Sequence, residues 1–112
     1  MEPFTPSEGA IFIKTGSSID KVNISDIYAI ESEGNYCTVK TADKEYIQRS
    51  SLVRMKEKLK SLDFIQVNKS TILPISGISN IDLAENTIYI EGQSYALSRN
   101  FRKDFIDALN LI

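Results

Sequence analysis

The side chains most able to do chemistry in this sequence are its cations, and their spacing suits holding an anion better than turning over a substrate. Lysine and arginine number 13, and they gather in two places, residues 49–60 and 99–103. In the second, Arg99 follows Ser98, a natural helix N-cap. It therefore sits where first-turn amides and the positive end of the helix dipole favour a phosphate. In the first, Arg49 and Arg54 open a basic run whose ordinary role is the solvated face of a helix. Catalytic combinations are scarce. There is no histidine, which removes the usual general base, the commonest transition-metal ligand and any Ser/His or Cys/His nucleophile pair. The glycines stand singly, so no phosphate loop or dinucleotide fingerprint can be assembled from them. Fifteen Asp and Glu make chance carboxylate pairs easy, so pairing alone argues for nothing. Cys37, the single cysteine, lies in an apolar strand-like segment, where a small buried hydrophobe is the ordinary reading, and it can form no disulfide within the chain. No enzyme, metal site or cofactor is expected.

At 112 residues, 42% hydrophobic and 25% charged, the chain suits one globular domain with one core. A net charge of −2 argues against coating nucleic acid through bulk positive charge. The distribution of cations matters more than their sum. No stretch approaches the roughly 20 apolar residues of a membrane span, and MEPFTPSEGA has neither the basic start nor the apolar centre of a signal peptide. A cytoplasmic protein is the expectation. Residues 1–10 hold two of the three prolines and few apolar side chains, and read as a linker or cloning remnant ahead of a domain over 11–112.

The elements that must position these side chains are mostly short strands. IFIKT (11–15), IDKVNI (19–24) and IYAIES (27–32) alternate as strands do, with Gly16, Ser17 and Ser18 as a hairpin turn between the first two. Glu33, Gly34 and Asn35 turn the chain into YCTVKT (36–41). That strand sends Cys37 and Val39 to one face and Tyr36, Thr38 and Lys40 to the other. Ala42, Asp43 and Lys44 lead into EYIQR, so an antiparallel meander is predicted. At Ser50 the period changes. Leu52, Met55, Leu59 and Leu62 recur at three and four residues, predicting an amphipathic helix capped by Ser50 or Ser51. After it come a strand at Phe64, Ile65 and Val67, a polar turn, and a second extended piece interrupted by Pro74. TIYIE and SYALS flank Gly92 and Gln93 as a last hairpin, and Phe101, Phe105, Ala108 and Leu109 predict a final helix capped by Ser98.

Three segments together resemble the LytTR family, the DNA-binding output domains joined to receivers in many bacterial response regulators. IYAIESEGNYCTV is similar to the family's strand, Glu-rich turn and aromatic strand start, with Glu31, Gly34, Asn35 and Tyr36 in register. FIQVNKSTILPI resembles its most recognisable stretch, and YALSRNFRKDF its closing hairpin and helix start. The likeness covers nearly all of residues 11–109. Asn68 stands where the family usually has histidine, Lys69 where it has arginine, and Leu73-Pro74 where it has Val-Asn. Lysine keeps a phosphate contact but not arginine's bidentate fork to guanine.

The resemblance implies a mainly β fold, an elongated antiparallel β-sandwich of short strands with two short amphipathic helices, reading duplex DNA with loops. Carried over by position, the DNA-binding residues are Asn35, Tyr36, Asn68, Lys69, Ser70, Arg99 and Asn100, with Arg49 and Arg54 as secondary phosphate contacts. Their chemistry suits the task. Arg99 can bridge a guanine's two acceptors, Asn68 or Asn100 can meet an adenine or a minor-groove edge, and Lys69 and Ser70 can hold phosphates. Plainer readings stand beside these: Asn35 as a left-handed turn residue, Tyr36 as cross-strand packing, Ser70 as a local turn bond. The implied partners are direct-repeat promoter sites and an N-terminal receiver or sensor domain, with a monomer or weak dimer pairing on DNA. The alternative is a β-rich protein-interaction module that has lost DNA binding.

Overall fold

The structure is a computed structural model and describes residues 9–112. The linker assigned to the start of the chain lies largely outside the described residues. Gly9 is buried, and Ala10 already belongs to the first strand. In chain order the elements are β1 (Ala10–Thr15), β2 (Ser18–Asn23), β3 (Ile27–Glu33), β4 (Tyr36–Thr41), β5 (Glu45–Arg49), α1 (Leu52–Lys58), β6 (Phe64–Asn68), β7 (Thr71–Pro74), β8 (Ile78–Asp82), β9 (Thr87–Ile90), β10 (Gln93–Ala96) and α2 (Arg99–Ala108). Single 3-10 turns, Ile24–Asp26 and Ile75–Gly77, precede β3 and β8.

Every strand pairing is antiparallel, as the meander pattern predicts. The central sheet runs β5-β4-β3-β7-β6; β1-β2 forms a separate hairpin, and β10-β9-β8 a small third sheet. Two residues close the first hairpin, with Gly16 alone at positive φ (61°), a pattern that fits a type II′ turn. The last hairpin turns one residue earlier than its sequence suggests. Glu91 (φ 49°) and Gly92 (φ 73°) both occupy the left-handed region, as a type I′ turn requires, and Gln93 already pairs with Ile90.

The central sheet is covered on both faces, so the domain has two clusters of buried side chains rather than the one core expected. On one face Ile30, Ile72, Cys37, Val39 and Tyr46 pack against the β1-β2 hairpin and against Leu52, Met55 and Leu59 from α1 and the turn after it. On the other, Ala29, Val67 and Leu73 meet Ile88 and Ile90 of the small sheet and Phe105 of α2. Strand alternation explains how neighbours serve opposite cores: Ile72 enters one and Leu73 the other. A bulge between Ile27 and Ala29 lets Ile27 and Ile30, three residues apart, share a face. Phe105 is fully buried, and removing such a side chain from water contributes about 1.5–3 kcal/mol. Phe101 and Leu109, expected beside it in the core, are half-buried.

Both helices start where their serines predict. Ser51 is the N-cap of α1, and its hydroxyl accepts the Arg54 amide at 3.1 Å. The helix stops at Lys58, so Leu62, expected on its stripe, packs from the following turn instead. Because α1 has only 7 residues, its intrinsic stability is small and the cap matters. Ser51→Ala is expected to cost about 1 kcal/mol, read as a lowered urea midpoint at unchanged m-value.

Candidate nucleic-acid interface

One end of the central sheet collects the loops singled out from the sequence, and the antiparallel register is the reason. β3 and β4 are joined there through Gly34 and Asn35. β5 runs back beside β4 and ends there, with Arg49 directly opposite Tyr36. β7 begins at the same end, with Thr71 opposite Glu31, so the β6–β7 turn carrying Lys69 and Ser70 lies there too. Across the order β5-β4-β3-β7-β6 these points extend over four strand spacings, about 19 Å at roughly 4.8 Å each. The start of α2 is tied to this end by two bonds: Asn68 Nδ2 donates to the Ala96 carbonyl at 2.8 Å, and the Ser98 amide donates to the Val67 carbonyl at 3.0 Å. Arg99 is thereby placed next to the Lys69 turn.

The individual residues divide by what they already hold. Asn35 is exposed, and its carbonyl accepts the Ser50 amide at 3.1 Å, linking the β3–β4 turn to the loop before α1. The left-handed residue of that turn is Gly34 (φ 60°), so backbone freedom is not what calls for asparagine at position 35. Tyr36 is 48% exposed beside Arg49, and Arg49 and Arg54 line one surface hollow with Asn35 and Ser51. Asn68 differs. Its Oδ1 accepts both the amide (2.9 Å) and the hydroxyl (3.1 Å) of Ser70, so each end of its amide is engaged inside the chain. Lys69, between them, is exposed. Asn100 lines a groove between the two helices beside β6. Ser98 takes the N-cap position of α2, but its hydroxyl accepts no helix amide.

Charge pairing separates the cations further. Among the described residues Lys40, Lys44, Lys60 and Lys103 have carboxylate partners, and Arg102 donates to the Leu83 carbonyl and Asn86 Oδ1. Arg49, Arg54, Lys69 and Arg99 have no such partner among those residues, nor have Lys14, Lys21, Lys56 and Lys58; what sets the first four apart is their place at the loop-bearing end. Behind them lies a polar seam that sequence reading missed. Glu31 Oε2 accepts the Lys40 ammonium at 2.9 Å and the Tyr95 hydroxyl at 3.2 Å, joining β3, β4 and β10. The Glu31 hydrogen bond raises the Lys40 pKa; burial, reinforced by the Glu31 charge, raises that of Tyr95. At neutral pH the seam is a charged lysine and a neutral phenol on one carboxylate. It steadies the strand that leads into Arg99.

A sequence model described as the LytTr DNA-binding domain matches residues 17–110. The chain belongs to the LytTR family. This is a family of DNA-binding domains, not of enzymes, and the likeness first seen in three segments extends over nearly the whole LytTR domain. The sensory transduction protein LytT of Bacillus cereus is 32% identical over 98 residues, covering 84% of this chain and 40% of that protein. LytT of Bacillus subtilis is 29% identical over 103 residues, covering 88% and 43%. The LytTR domain described here thus spans less than half the length of these relatives. A solved LytTr DNA-binding domain from Bacillus cereus has the same fold, with a TM-score of 0.75 at 19% identity, covering 91% of this chain and 97% of that one. The Tyr36–Arg49 pairing across β4 and β5 is the feature of this site that sequence reading came closest to without finding. Counting back from the turn that sets Lys40 opposite Glu45 would have found it.

Proposed function

We propose that this LytTR domain binds double-stranded DNA sequence-specifically through the loop-bearing end of its central sheet, as the output domain of a bacterial transcriptional regulator of the response-regulator type. The observation that carries the reading is the convergence of Arg49, Arg54, Lys69 and Arg99 at one end of the sheet, without carboxylate partners among the described residues. Convergence of this kind reconciles an acidic chain with a polyanionic ligand, because local potential rather than net charge governs contact. Arg99 is the base reader. Lys69, Arg49 and Arg54 contact phosphates, and Asn35 and Tyr36 approach the backbone from the β3–β4 turn. Asn68 and Ser70 belong to the interface as the brace that holds Lys69 beside Arg99. Asn100, set toward the helix groove, is a peripheral contact.

In this reading the protein works in the cytoplasm, two copies occupy direct-repeat promoter sites, and a receiver or sensor domain in the parent protein controls them. The test is duplex binding measured across a salt series. Affinity should fall log-linearly with salt, with a slope of about −0.9 for each phosphate neutralised. Lys69→Ala should weaken all sequences alike and reduce that slope by about 1. No duplex binding even at low salt would overturn the function in favour of a protein-interaction module; an unchanged slope would remove Lys69 from the interface.

A further inference from the structure

A cleft of about 410 Å³ lies between the β1-β2 hairpin and α1, on the face of the central sheet opposite α2. Its floor is the core itself: Ile13, Val39, Met55 and Leu59 all reach it. Its rim is cationic. Arg49, Arg54 and Lys58 line it, and no carboxylate does among the described residues, in a chain where Asp and Glu outnumber Lys and Arg by 15 to 13. Arg54 and Lys58 are four residues apart on α1, so two like charges share one side of a short helix, an arrangement that disfavours the helix unless an anion lies between them. A second groove, between β8 and α2, supplies the contrast. At about 480 Å³ it is similar in size, but no charged side chain lines it.

We infer that the cationic cleft is a binding site for a small amphipathic anion, a carboxylate with an apolar tail. The volume falls in the range of small-molecule sites, roughly 300–1,000 Å³. The apolar floor takes the tail by burial, and the Arg54 guanidinium, with Lys58 one turn along α1, takes the carboxylate, which arginine's planar fork matches in geometry. Arg54 also stands at the proposed DNA end. In a consequence that rests on the proposed DNA reading, the bound anion draws on the same positive charge as the phosphates, so ligand and duplex oppose one another reciprocally.

Sodium decanoate, kept below its micelle concentration, is the probe, with decanol as its uncharged counterpart. Both are titrated into the full chain while the methyl resonances of Met55 and Ile13 are followed. Decanoate should shift them saturably, and decanol should bind about tenfold more weakly at this cleft. Arg54→Glu combined with Lys58→Glu, both at exposed positions, should invert the preference so that decyltrimethylammonium binds better than decanoate. Equal affinity for decanol, an unsaturable response, or a double variant that still prefers decanoate would overturn the proposal. So would shifts that follow protein concentration without any decanoate, because a second copy would then be the occupant. Duplex binding is measured on the same samples. A chain that takes decanoate but no DNA refutes the DNA reading and leaves the cleft standing; one that binds DNA with no saturable shift refutes the cleft alone.

Discussion

Arg99→Ala is expected to weaken binding to a preferred duplex by about 1–3 kcal/mol, roughly five- to 150-fold, and to flatten base preference at one position of the site. Arg99 is exposed, opens α2 and has no carboxylate partner among the described residues, so its removal leaves no buried group unpaired. Alanine is also a good helix former, which keeps the expected stability change within about 0.5 kcal/mol. A loss of binding without a loss of stability therefore reports contact directly. Arg99→Lys divides the two roles the residue can play: a lysine keeps the positive charge and the salt slope but lacks the fork that spans a guanine edge. Fluorescence anisotropy against a duplex and its single-base variants makes the measurement. An equal loss on every duplex would make Arg99 a phosphate anchor, and no loss would remove it from the interface.

How far such a site is legible in sequence depends on whether its geometry is local. Strand period, the turn at Gly16 and the cap at Ser51 rest on a few adjacent residues, and the structure has each of them as predicted. Cys37 is fully buried, in agreement with its place in an alternating strand. The pairing of β3 with β7 is different. It joins residues about forty positions apart, and nothing near either strand encodes it. That pairing brings the Lys69 turn to the same end as Asn35. The bulges fall in the same class, since a bulge inserts one residue into an otherwise regular alternation and is fixed by the partner strand. β8 escaped notice because Ser79 and Asn80 are exposed and polar and its apolar residues are only half-buried, leaving no clear period to read. At the site, residue type was legible and engagement was not: an asparagine in a polar turn looks the same whether it faces a base or its own backbone.

Asn68 turns that ambiguity into an experiment. As a base reader it would be a free side chain, and Asn68→Ala would lower affinity at one base position with stability intact. The structure instead has its amide spanning from the Ala96 carbonyl to the amide and hydroxyl of Ser70, one hydrogen bond to the strand that leads into Arg99 and two within the β6–β7 turn. Removing it leaves the part-buried Ser70 amide without its partner and hands the exposed Ala96 carbonyl to water, so Asn68→Ala is expected to cost about 1–2 kcal/mol of folding stability. Ser70→Ala, which deletes only the hydroxyl, should cost about 0.5 kcal/mol. The loosened turn should weaken DNA binding on every sequence, because Lys69 and Arg99 lose their fixed separation, while the salt slope holds because no cation is removed. Asn68→Asp is the sharper variant. It keeps the acceptor for Ser70 but sets a carboxylate oxygen against the Ala96 carbonyl and brings a negative charge to the DNA end, so it should lose both stability and affinity. Urea unfolding run beside duplex binding decides the matter. A stable Asn68→Ala protein with one altered base preference would return Asn68 to the reading set and refute the brace.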